Sequence, residues 1–176
     1  MIFFTIGTHE PFDRMVKAVD QWAASSGAHV FGQIPEPRPD GYRPRHFPVV
    51  ARLAPADYDA KVRQAAFLVA HAGMGSIITA LQHGKPILIM PRRGHLRETR
   101  NDHQWATANR LRGTPGITVA ADETDLPALL DRLHAEGGTS PTPISPWASP
   151  ALVDALRAFI HAPAAGPVPG DPSRPS

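Results

Sequence analysis

The chain has 176 residues, 42% of them hydrophobic and 19% charged, and its formal net charge of +2 is too small to point to nucleic acid. It holds no cysteine, which excludes a disulfide framework, a thiolate metal site and a cysteine nucleophile. No run approaches the ~18 apolar residues of a membrane span, and MIFFTI is too short and lacks the basic flank for a signal peptide, so a cytoplasmic location is expected.

Residues 1–6 read as a buried strand. Gly7-Thr8-His9-Glu10 is a turn, and Pro11 suits the first turn of a helix. Phe12, Met15, Val16, Val19 and Trp22 recur at helical spacing through Ala24. A second strand covers 28–33. Residues 34–48 are rich in Pro, Gly and Arg and form a loop containing Tyr42. Strand 49–53 follows, then a helix opened by Pro55 with Tyr58, Val62 and Ala66 on one side.

The most informative stretch is HAGMGSIITALQHGKPILIMP, residues 71–91. The strand 67–70 precedes it. The chain turns through His71, Ala72, Gly73, Met74 and Gly75. A helix is expected over 76–83, opened by Ser76 and stopped at Gly84, before the strand 87–90. Glycines let a backbone turn tightly and approach a ligand, and a helix start offers unpaired N–H groups with a favourable dipole. A phosphate at this helix start would satisfy both. A tight turn capped by Ser76, with no ligand, accounts for the same glycine spacing.

RRGHLR, residues 92–97, is a basic loop, and Glu98 or Thr99 is expected to start a helix to about Arg112. A short strand 117–121 and a helix 125–136 complete the core, with Leu126, Leu129, Leu130 and Leu133 inward. Strand and helix alternate throughout, which predicts an α/β fold with a parallel sheet covered on both faces. The loops at 7–10, 71–75 and 92–97 should then share the carboxyl edge of the sheet, where such folds bind ligands. Domain limits are expected at 1–136, followed by a Pro-rich linker and short helix at 137–162 and a disordered tail at 163–176.

Three segments, IGTHEPFDRMVKAVD, HAGMGSIITALQHGKPILIMP and NDHQWATANRL, stand in this order over about residues 1–135. Together they resemble the C-terminal domain of glycosyltransferase family 28 in its free-standing form, including the soluble subunits of two-component UDP-N-acetylglucosamine transferases and bacterial exopolysaccharide subunits. The resemblance implies a Rossmann-like domain, the donor-binding half of a GT-B glycosyltransferase. It implies a UDP-sugar donor and inverting transfer to a lipid-linked sugar acceptor in polysaccharide biosynthesis. It also implies a membrane-associated acceptor-binding partner subunit, which would hold this chain at the inner face of the membrane. No cofactor is implied, and no metal, since no Asp-x-Asp motif lies near the loops. Nucleic acid is not an expected partner.

The resemblance assigns nucleotide-sugar contacts to Gly7 and Thr8 in the first loop and to His71, Gly73, Met74, Gly75 and Ser76 in the second. Thr79 falls where relatives often carry a Glu that holds the ribose, which puts its ribose role in doubt. Asp102, His103 and Gln104 match the segment that meets the donor sugar. His9, or Glu10, is a candidate base for the acceptor hydroxyl, although in this fold the base usually comes from the acceptor half. Arg92, Arg93, Arg97 and Arg100 face an anion or form a solvated loop. Trp22 and Trp105 read as packing rather than sugar stacking, and Trp147 as cover for a partner or for the domain. Three rival readings are a degenerate donor domain that scaffolds a partner, an epimerase on the same fold, and a dinucleotide-binding domain. The last wants G-x-G-x-x-G and an acid after the second strand, where this chain has GTHEPF and Gln33.

Overall fold

The structure is a computed structural model that describes residues 1–8 and 10–162. It divides into two units, Met1–Ile144 and the residues from Ser145 onward.

In the first unit six strands form one sheet: β1 (Ile2–Thr5), β2 (Val30–Gln33), β3 (Val49–Val50), β4 (Leu68–His71), β5 (Ile87–Met90) and β6 (Ile117–Val119). Their order is β3-β2-β1-β4-β5-β6, and every pairing is parallel. The helices are α1 (Asp13–Ser26), α2 (Pro55–Gln64), α3 (Met74–Gln82), α4 (His103–Leu111) and α5 (Leu126–Glu136).

Side chains alternate across the pleat, so the inner strands feed two cores. Phe4, Ile6, Val69, Leu88 and Met90 join Met15, Val16 and Val19 of α1 and Leu126, Leu130 and Leu133 of α5 on one face. Phe3, Leu68, Ala70, Ile87 and Ile89 join Val62 of α2, Ile77 and Ala80 of α3 and Ala108 of α4 on the other. The inner strands β1, β4 and β5 are mostly apolar because both of their faces are covered.

Several boundaries differ from the sequence expectation, each for a physical reason. α3 begins at Met74, with Gly73 as its N-cap in extended backbone, so Ser76 lies inside the first turn and does not cap. α4 begins only at His103. Glu98, expected near its start, instead takes Arg14 of α1 (2.5 Å) and the Arg93 N–H (2.8 Å), which keeps residues 97–102 in turns. β3 stops at Val50, and the Gln33 side chain rather than a neighbouring strand receives the Leu53 N–H at 3.2 Å. The compact unit also runs past Gly137 to Ile144, whose N–H reaches the Leu81 carbonyl at 3.2 Å.

The loop 34–48 is held to α1 by two carboxylates, Asp13, which accepts from the Tyr42 N–H at 3.2 Å, and above all Asp20. Asp20 is fully buried and accepts from the Tyr42 hydroxyl (2.8 Å) and from the N–H groups of Arg45 (2.9 Å) and His46 (2.8 Å), with the His46 ring at 3.1 Å. Burial raises its pKa, but these partners outweigh burial and hold it below the ordinary carboxylate value.

In the second unit α6 (Pro150–His161) is capped by Ser149, whose hydroxyl accepts from Leu152 N–H at 3.3 Å. Its Leu152, Leu156, Phe159 and Ile160 are exposed, as is Trp147. The tail 163–176 lies outside the described residues. Among the described residues no helix is long and apolar enough to cross a membrane.

Candidate functional site

Strand order reverses between β1 and β4, and a groove of about 590 Å³ opens at their carboxyl ends. This is the place where open α/β sheets bind ligands, and the volume is in the range of small-molecule sites. The groove receives Gly7 and Thr8 from the β1 loop, Gln33 from β2 and His71 from β4. Its walls are α2, through Tyr58 and Asp59, and one face of α3, through Gly75, Ser76, Thr79 and His83. A second cleft, about 690 Å³, lies between α1 and α5. Across it Arg14 pairs with Glu123 at 2.6 Å and the Trp22 Nε1–H with Asp131 at 2.7 Å. No glycine loop opens on it.

The two glycine loops meet on the ring of His71. Gly7 has φ +81°. A Cβ there would stand 3.1 Å from the His71 Cε1, and a Cβ at Gly73 would stand 2.8 Å from it. Gly73 therefore makes room for an imidazole of this chain, a reason for glycine that the sequence reading attributed to a ligand. Gly75 is different. A Cβ there meets nothing within 4 Å, and the residue lines the groove. Gly75 is the glycine that leaves space for a bound group beside the first turn of α3.

His71 is held neutral. Burial first, then the charge of Arg92, push its pKa down to about 4, against a small opposing effect of the Thr5 backbone. Its buried Nδ1 has no hydrogen-bond partner of good geometry. Ser76 is buried and bonds to Tyr58, whose pKa burial raises and Ser76 partly restores. Thr79 donates back to the Gly75 carbonyl at 2.8 Å, which ties it to α3 while it lines the groove. Met74 is exposed at the helix start. Farther along, Asp59 pairs with His83 at 2.6 Å and with Arg63.

Asp102, the N-cap of α4, and His103 and Gln104 in its first turn do not line this groove. Asp102 accepts from the Gly94 N–H (2.7 Å) and Gln104 from the Arg92 N–H (3.2 Å), while His103 turns to Asn101. The four arginines separate. Arg92 is buried, and Arg93 covers the Trp105 ring at 3.9 Å and donates to the Ala121 carbonyl at 2.8 Å. Arg97 and Arg100 border a small cavity beside Glu10. His9, the candidate base, lies outside the described residues. Tyr58, Asp59 and His83 were not singled out from sequence, because only the packing of α2 against α3 brings them to the groove.

Sheet and groove together make a Rossmann-like α/β domain, a fold it shares with GT-B glycosyltransferases. No family model and no curated protein matches the chain. Among solved structures it is similar to ALG13, with a TM-score of 0.56 and 17% identity over 88% of this chain and 93% of that one. The glycotransferase of kitacinnamycin aligns with a TM-score of 0.56 and 20% identity over 90% of this chain, and the chain spans only 37% of it. A putative UDP-N-acetylglucosamine 2-epimerase from Listeria monocytogenes aligns with a TM-score of 0.57 and 16% identity over 91% of this chain and 44% of that one.

Proposed function

We propose that this chain is the donor-binding half of a UDP-sugar-dependent glycosyltransferase, completed by a separate acceptor-binding subunit. The groove at the β1–β4 switch point carries this reading, with the open Gly75 and the first turn of α3 on one side and Gly7 and Thr8 on the other. Transfer from a UDP-sugar leaves negative charge on the departing diphosphate. Fixed N–H groups aimed at that charge stabilise the transition state more than the ground state. Ser76 and Thr79 offer hydroxyls along the same wall. The chain spans little more than a third of the kitacinnamycin enzyme, and the resemblance to free-standing donor subunits supports a separate partner for the acceptor side. The resemblance makes that partner membrane-associated, at the cytoplasmic face, and the acceptor a lipid-linked sugar, with inversion at the sugar carbon.

Calorimetric titration of UDP, with ADP as the control and EDTA present, tests the donor reading. Selective UDP binding is the expected result. Failure to bind even with the partner present leaves a scaffolding role instead. The alignment with an epimerase favours a second reading on the same fold. Sugar transfer by the chain with its partner, against epimerisation of the free UDP-sugar, separates the two.

A further inference from the structure

One charged group, Arg92, acts on His71 without lining the groove. Arg92 is 4% exposed, yet no carboxylate bonds to its guanidinium. Its Nη2 donates to the carbonyls of Ile6 (2.9 Å) and Glu10, and its buried Nε has no partner. The head packs over the Phe12 ring at 5.0 Å. Two carboxylates act on it through space without bonding to it, Glu10 first and then Glu98, and Glu98 is committed to Arg14. Buried charges are ordinarily paired, so a cation without a carboxylate partner calls for an explanation.

Its route through the fold supplies one. Arg92 follows β5, while Ile6 and Glu10 follow β1, and β4 lies between those strands. The side chain therefore crosses the end of β4, where His71 stands, and pins the loop that carries Gly7 and Thr8. Gln104 fixes its backbone at 3.2 Å.

Building on the donor-site reading, we propose that Arg92 is a positioning residue and the fixed counter-charge of the site. It holds the Gly7–Thr8 loop and balances a diphosphate from behind that loop and His71, without touching the ligand. A guanidinium suits this role because it stays charged when buried and its fork takes two carbonyls at once. Burial lowers its pKa to about 10, with Glu10 and Glu98 opposing, so it remains a cation at neutral pH. The charged groups acting on it are those two carboxylates, and it is the charged group acting on His71.

The test uses the whole chain, labelled for NMR on histidine, with Arg92→Lys and Arg92→Met. Inorganic pyrophosphate, UDP and uridine are titrated separately, and thermal unfolding checks the fold of each variant. Pyrophosphate is expected to shift the His71 ring signal in the wild type. In Arg92→Met its affinity, and that of UDP, should fall tenfold or more, with uridine affinity unchanged. Arg92→Lys keeps charge without the fork and should lie between. In the free protein, Arg92→Met should also move the His71 titration upward while Arg92→Lys, which keeps the charge, leaves it near the wild-type value; equal upward shifts in both variants would report lost packing and overturn the counter-charge role. Equal losses for uridine and UDP, unchanged pyrophosphate binding, or a His71 titration that does not move would each overturn the proposal. A wild type that binds pyrophosphate but not UDP would overturn the uridine nucleotide reading and leave Arg92 in its role.

Discussion

The imidazole of His71 occupies the space that a side chain at Gly73 would need. A Cβ there would stand 2.8 Å from Cε1 and 2.9 Å from Cδ2. Gly75, two residues on, faces open space. One glycine serves the fold and the other serves the groove. Gly73→Ala should displace the ring and cost about 1–3 kcal/mol, as overpacking does. Gly75→Ala should leave stability unchanged or raise it by up to about 1 kcal/mol, through helix propensity. Urea denaturation of the two variants decides. Equal losses would mean that His71 does not hold this position.

The same contrast carries into binding. Gly75→Val places a branched side chain in the groove beside the first turn of α3, and UDP affinity should fall more than tenfold while the fold survives. Ser76→Ala removes one hydroxyl, worth about 0.5–1.5 kcal/mol, and should weaken UDP several-fold at most. Calorimetry on the two variants and the wild type checks the order. Three equal affinities would remove the phosphate site from α3.

A third prediction concerns acid. His71 titrates at about 4 in the fold and near 6.5 when unfolded. Between those values the unfolded chain binds a proton that the native chain does not. Its contribution is therefore complete above pH 6.5, falls as pH drops toward 4, and is lost below. The effect is at most about 3 kcal/mol. Urea midpoints at about pH 7.5 and about pH 4.5 should differ less in His71→Gln than in the wild type. An identical pH dependence in both would show that His71 is not buried neutral.

Asp20 gives a fourth. Four donors converge on this one carboxylate from the loop 34–48. Asp20→Ala removes the buried acceptor that these partly exposed donors share and should cost about 1–3 kcal/mol. The loop should also open to trypsin at Arg45, since Arg38 and Arg43 each precede a proline. Proteolysis at an unchanged rate would show that the loop is held by other contacts.

Much of this architecture is legible in the sequence. Apolar runs such as Ile87–Met90 and the helical spacing of Met15, Val19 and Trp22 specify strands and helices through local periodicity. The strand-following loops and their common edge follow from the same alternation. What sequence does not reveal is where long-range partners intervene. Glu98 reads as a helix start until Arg14, far away in the chain, claims it. RRGHLR reads as one basic loop, yet the course of Arg92 over β4 buries it while Arg97 and Arg100 border the surface. Asp59 enters the groove only because α2 packs beside α3. Periodicity sees neighbours along the chain, and these assignments depend on neighbours across the sheet.

The sheet tapers at both margins. β3 has two residues and β6 three, against four in each strand between them. A short outer strand exposes few unpaired backbone groups, which is how natural sheets avoid recruiting foreign strands. Extending the sheet into a second copy would thus gain only a few hydrogen bonds on either side. Lasting association of this domain, with itself or with another protein, falls instead to its helix faces and to the loops at the strand ends.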